Sequence, residues 1–192
     1  MRPHTRNPNQ KRQEGPKEEY AIVLDVVLDN QQSFKDDEIA QAIGTSSFTL
    51  LELVPKQGVL LKNGDKVYIG EGKREESQYI KKTLKVEDIS GSAQSELKFT
   101  LMDLIDEKEE QFVTFFNRAG PITIRKHSLE LIPGIGKKHL KDLLEERDEG
   151  DFTSFANLKE RCSFIGDPQK AIAERIIKEL GGEEDFRLFT KK

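Results

Sequence analysis

The chain has 192 residues, enough for one or two compact domains. Its 35% hydrophobic content sits against 34% charged, and recurring blocks of Leu, Ile, Val and Phe exclude a wholly disordered chain. Thirty-one Lys and Arg against 35 Asp and Glu give a net charge of −4, so any surface suited to a polyanion must be local. Cys162 is the one cysteine, which excludes an internal disulfide and a cysteine-based structural zinc site.

Residues 1–18 are rich in Pro, Asn, Gln and Arg and are predicted as a disordered basic tail. The tail carries Arg2, Arg6, Lys11, Arg12 and Lys17. It reads either as an arm with weak phosphate affinity or as a solubilising extension. It lacks the apolar run of a signal peptide, and no stretch approaches the roughly 18 apolar residues of a membrane span. A soluble, cytoplasmic protein is expected.

Residues 19–92 read as a small β-barrel. "YAIVLDVVL" from Tyr20 is apolar and β-branched, a strand. "DDEIAQAIGT" has the spacing of a short helix ending at Gly44. "FTLLELVP" and "GVLL" read as further strands. "KNGDKVYIG" carries a hairpin signal, because Asn63-Gly64 tolerates the positive φ of a tight turn. "YIKKTLKVEDI" alternates as another strand. Several short strands with turn signals suggest an OB-like barrel. "GEGKREE" at residues 70–76 lacks Walker spacing. It reads better as a basic barrel loop, in which Lys73 and Arg74 contact nucleic acid beside Lys81 and Lys82 on the next strand. Tyr68 and Tyr79 are candidate base stackers or barrel filling.

Residues 93–120 form a connecting helix. Leu97, Leu101, Leu104 and Ile105 share one face, Phe112, Phe115 and Phe116 continue it, and Gly120-Pro121 ends it.

The most informative stretch is "LELIPGIGKKHLKDLLEER", Leu129–Arg147. A helical pattern stops for Pro133-Gly134-Ile135-Gly136 and restarts at once with two lysines. Gly134 and Gly136 permit unusual φ values and leave no Cβ in the way of a ligand. The first N–H groups of the next helix lack partners and lie at the positive end of its dipole, a setting that favours phosphate. Lys137, Lys138 and Lys141 add charge, while Ile135, Leu140, Leu143 and Leu144 turn inward. The segment resembles the helix-hairpin-helix motif, which implies a grip on a nucleic-acid backbone without base reading. A weaker copy spans "FANLKERCSFIGDPQKAIAERIIKELGG", with Ile165, Ile172 and Ile176 facing the core and Pro168 in the first helical turn. Asp167 stands there in place of Gly136; it can cap the helix but repels phosphate, so this copy reads as mainly structural. By resemblance, residues 121–182 form a tandem helix-hairpin-helix domain, followed by a C-terminal tail at 183–192.

"AQAIGT", "FTLLELVPK", "GDKVYIGEGKR" and "LELIPGIGKKH" together resemble a family of uncharacterised, mostly archaeal proteins described as predicted nucleic-acid- or nucleotide-binding. The likeness covers roughly residues 18–190. It implies an α+β chain in which a small OB-like β-barrel precedes an all-α tandem helix-hairpin-helix domain.

No nucleophile–base pair stands out, and no spaced carboxylate set reads as a two-metal nuclease site. His4, His127 and His139 do not cluster at ligand spacing, although His127 and His139 flank the hairpin. Cys162 reads as a core thiol. The expectation is a non-enzymatic, largely sequence-independent nucleic-acid-binding protein with no catalytic residues, metal or cofactor. RNA and DNA are both open as partners. The site residues are Gly134, Ile135, Gly136, Lys137, Lys138, Lys141, Lys73, Arg74, Lys81 and Lys82. The alternative is a protein–protein interaction module in a repair, replication or translation assembly.

Overall fold

The computed structural model describes residues 18–28, 38–182 and 184–191. Of the predicted basic tail only Glu18 falls among them. The chain is mixed α+β: a curled, antiparallel five-stranded half-barrel and five helices. The strands are β1 (Tyr20–Leu28), β2 (Glu38–Gly44), β3 (Leu50–Pro55), β4 (Lys66–Tyr68) and β5 (Ser77–Thr83), in the order β4-β1-β2-β3-β5. β4 and β5 therefore end the sheet.

β2 corrects the helix expected over "DDEIAQAIGT", whose Asp36 and Asp37 lie outside the described residues. Ile39, Ala40, Ala42 and Ile43 have helical spacing. They are all buried because β2 lies between β1 and β3 with both faces covered. A strand buried on both faces loses the alternation that would identify it. The Asn63-Gly64 turn forms, with Gly64 at φ +87°. It does not join "GVLL" to β4 as a hairpin, because that stretch is not a strand and β4 pairs with β1. Leu61 is instead a buried plug and Leu60 is exposed.

The sheet serves two cores. Val23, Ala40, Ala42, Leu51, Leu53 and Val67 line its concave side with Leu61 and Ile69. On the other side Leu24, Ile43, Phe48 and Leu50 join the helices. Leu24 faces that side by ordinary strand alternation with Val23, and a bulge between Val23 and Asp25 turns Asp25 to the same side, where it accepts from Ser90 Oγ.

The connecting helix is two helices, α1 (Gly91–Asp106) and α2 (Glu109–Arg118). Apolar periodicity runs through both. The break falls at Lys108, whose ammonium turns back to the Thr45 carbonyl and sits 5.5 Å from the Phe48 ring centre. Desolvation lowers the Lys108 pKa, against the opposing pull of Glu18. A short ribbon, β6 (Pro121–Thr123) with β7 (Lys126–His127), leads to α3 (Lys137–Glu149), α4 (Phe155–Arg161) and α5 (Pro168–Gly181).

The C-terminal tail is docked along its described part, 184–191. Glu179 on α5 is fully buried and accepts from the Leu188, Phe189 and Thr190 amides at 2.7, 3.0 and 2.9 Å. It also accepts from Arg175 Nε at 2.8 Å and Thr190 Oγ1 at 3.1 Å. Phe189 packs edge-on against Phe112 and Phe115. No helix among the described residues is long and apolar enough to cross a membrane.

Candidate functional site

Ahead of the Pro-Gly-Ile-Gly turn the expected helix is a single 3-10 turn, Ser128–Leu131. A reciprocal cap starts it: His127 Nδ1 accepts from the Leu129 amide at 3.2 Å, and Glu130 accepts from the His127 amide at 2.8 Å. An Nδ1 that accepts carries no proton. Burial, then the charge of Arg147, lowers the His127 pKa, against the raising influence of Glu130. That places a neutral ring at the cap rather than a phosphate contact.

Ile132 and Ile135 are buried anchors of the turn, and the Ile135 amide closes it onto the Ile132 carbonyl at 3.1 Å. Between them Gly134 takes φ +90°. Gly136 is different: at φ −88° and ψ −179° it is ordinary extended backbone. The His139 ring bonds the Gly134 carbonyl through Nδ1 at 2.8 Å, and a carbonyl only accepts, so Nδ1 carries the proton here. The same ring stacks on Phe164 of the second copy, with centres 4.5 Å apart and planes 17° apart. The two hairpin-like segments therefore brace each other.

α3 starts on Gly136 without a side-chain cap. By contrast, Ser90, Ser154 and Asp167 cap α1, α4 and α5. At α5 the Asp167 carboxylate accepts from the Lys170 amide at 2.9 Å, so its own side chain occupies the place an anion would take. The bare start of α3 opens on a cleft of about 540 Å³ lined by Glu130–His139 and Lys178. Lys137, Lys138 and Lys178 set three cations against the single carboxylate of Glu130, net +2.

Lys178, on the last turn of α5, is the residue that sequence reasoning missed. Its position off the α5 core face is legible from the Ile172 and Ile176 spacing, but its neighbour 40 residues earlier is not. Lys141 does not join the cleft; it pairs with Glu145 at 3.4 Å on the exposed side of α3.

The half-barrel residues lie apart from this cleft. Lys73 and Arg74 line a second cleft, of about 350 Å³, which shares no lining residue with the first. Lys81 and Lys82 converge on the buried Glu52 carboxylate at 3.3 and 3.5 Å. Neighbours on a strand normally point oppositely; here a register shift between Glu52 and Leu53 makes Lys81 the extra residue. Tyr68 is held in place, its hydroxyl accepting from the Gly72 amide at 3.1 Å and its ring edge-on to Tyr20. Tyr79 is exposed. Burial pushes the Cys162 thiol up to about 11, with Glu146 adding to the rise, as suits a core thiol. Among the described residues no three His, Cys, Asp or Glu side chains gather to hold a metal.

Comparison with known proteins follows the same architecture. The crystal structure of Af1531 from Archaeoglobus fulgidus superposes with a TM-score of 0.84 at 37% identity, covering 91% of this chain and 100% of that one. The uncharacterized protein MJ0038 of Methanocaldococcus jannaschii is 40% identical over 177 residues, 91% of this chain and 80% of the relative. The family model described as "Protein of unknown function (DUF655)" matches residues 17–191. Sheet, helices and both clefts all fall within that match, and the chain belongs to the DUF655 family.

Proposed function

We propose that the protein binds nucleic acid without reading its sequence, holding backbone phosphate at the start of α3. One observation carries this reading: Lys137 and Lys138 from α3 and Lys178 from α5 meet in one cleft, over a helix N-terminus that no side chain among the described residues caps. The unpaired N–H groups and the helix dipole favour an anion there, and the net +2 lining adds to the attraction. In this reading residues 121–182 act as a tandem helix-hairpin-helix unit, and the OB-like half-barrel offers Lys73 and Arg74 as a second contact surface. Contacts of this kind fix position and carry no base information. The ring nearest the cleft, His139, already has its face against Phe164. RNA and DNA both present the required phosphate.

Fluorescence-anisotropy titrations of single- and double-stranded DNA and RNA across a salt series test this. Three lysines neutralising three phosphates at the α3 cleft contribute about −2 to −3 to the log–log slope, and contacts from Lys73 and Arg74 steepen it. Lys137→Gln with Lys138→Gln should weaken binding to every sequence and make the slope shallower by about 1.4–1.8, the share of two phosphates. No binding at low salt, or an unchanged slope in the folded double variant, removes the hairpin from the interface. Salt-tolerant capture of a protein through apolar contacts would then be the better account.

A further inference from the structure

The second cleft has features that the backbone-binding reading does not use. It lies where the β3–β5 ladder ends. Pro55, which has no N–H to give, stands opposite Ser77, and the register shifts between Val54 and Pro55. The Lys56 amide bonds the Glu76 carbonyl at 2.8 Å, which sets Lys56 beside Ser77. The loop Gly70–Arg74 closes over this end. Three contacts hold it: Lys56 Nζ to the Arg74 carbonyl, Arg74 Nε to the Gly70 carbonyl at 3.0 Å, and the Gly72 amide to Tyr68 Oη. A Cβ at Gly70 would lie 2.5 Å from Tyr68 Oη, so this close approach requires glycine.

Ser77 is fully buried, lines the cleft, and its Oγ has no hydrogen-bond partner among the described residues. Buried hydroxyls in native proteins are nearly always paired, so an unpaired one needs a partner. Around it, Lys56, Lys73 and Arg74 outnumber Glu71 among the lining charges, again net +2. Lys73 also reaches Glu75 at 3.2 Å, an exposed pair of small energetic weight. Lys56 keeps two N–H donors and Arg74 its terminal nitrogens after their loop contacts.

We propose that this cleft binds a terminal phosphate group, a monoester with three free oxygens, through Lys56, Arg74 and Ser77. A monoester suits three donors from three sides better than a diester, which offers two non-bridging oxygens. The phosphate belongs either to a free mononucleotide or to the end of a nucleic-acid strand. This deepens the role given above to the half-barrel surface, and it stands apart from the hairpin because the clefts share no residue.

The test is a ¹H–¹⁵N amide titration of the full chain with inorganic phosphate, with AMP, and with one short RNA bearing a 5′-phosphate or a 5′-hydroxyl. Saturable shifts are expected at Gly70, Gly72, Arg74 and Ser77, and they should persist in the Lys137→Gln, Lys138→Gln variant. Arg74→Gln and Ser77→Ala should each weaken inorganic phosphate about tenfold. Ser77→Ala removes only an unpaired buried hydroxyl, so its Tm should hold or rise. Tighter binding of the phosphorylated RNA assigns a strand end; equal RNAs with tight AMP assign the free nucleotide. The proposal is overturned if shifts are absent, if chloride at equal ionic strength reproduces them, if neither cleft variant changes affinity, or if the hairpin variant abolishes binding.

Discussion

Replacing Gly134 with alanine forces a side chain into the left-handed region, because φ there is +90°. Among the described residues no neighbour lies within 4 Å of the added Cβ, so the cost is conformational alone, about 1–2 kcal/mol. Gly136 has equal space but an extended φ of −88°. Gly136→Ala should change stability by less than about 0.5 kcal/mol, yet weaken nucleic-acid binding by placing a methyl where phosphate approaches α3. Urea denaturation beside anisotropy separates the two glycines; equal stability losses would contradict this assignment. His127 gives a pH prediction. Its folded pKa lies below the ordinary histidine value of about 6.5, so the unfolded chain takes up the proton first as pH falls. Its contribution is complete above about pH 6.5 and is lost as pH drops through the folded value. His127→Asn keeps an acceptor for the Leu129 amide and should flatten this acid-side loss in urea midpoints measured from pH 7.5 downwards. An unchanged pH profile would assign the loss to other groups.

Among the elements, α5 carries the most concentrated polar core. Five donors converge on Glu179, and Arg175 also reaches Glu184 at 2.8 Å and the Phe186 carbonyl. Glu179→Ala leaves the buried Arg175 Nε and three backbone amides without their acceptor. A loss of about 3–5 kcal/mol is expected, with the Leu188, Phe189 and Thr190 amides losing exchange protection. Protection that survives the substitution would show that Phe189 packing alone holds the segment. α3 and α5 differ at their starts for a related reason. Asp167 satisfies the α5 amides internally, whereas the α3 amides are left to an external acceptor.

At the scale of the molecule, sheet and helices share a core. Leu24, Ile43, Phe48 and Leu50 belong to the same buried cluster as Leu97, Phe112, Leu129 and Ile172. Phe48 holds φ +56°, rare for a bulky residue, with its ring 6.3 Å from Phe112 and beneath the Lys108 ammonium. The shared core predicts one cooperative unfolding transition, and Phe48→Ala should shift it whole by about 3–5 kcal/mol. Far-UV and near-UV circular dichroism should move together; two transitions, of which Phe48→Ala moves one, would show separable units. Charge is also polarised along the helical part. The acids at and just beyond the C-terminal end of α3 are partly engaged, Glu146 by Arg161 at 3.3 Å and Asp151 by Arg118 at 2.7 Å, while Lys137 and Lys138 form no ion pair among the described residues.

What could be read from residue order rested on short-range periodicity and turn chemistry. β1, β3, the Asn63-Gly64 turn, and the helices α3 and α5 with their inward Leu and Ile were legible because each is written within a few consecutive residues. The Pro-Gly-Ile-Gly turn was legible for the same reason, together with the lysines beside it. β2 was not, because burial on both faces erased its alternation. The α1–α2 break was not, because it accompanies a lysine contact 63 residues away in sequence. The cleft partners Lys178 with Lys137, Lys56 with Arg74, and Glu179 with the C-terminal amides were settled by tertiary packing. No local rule links residues that far apart; they meet when the apolar faces of separate elements close on a common core.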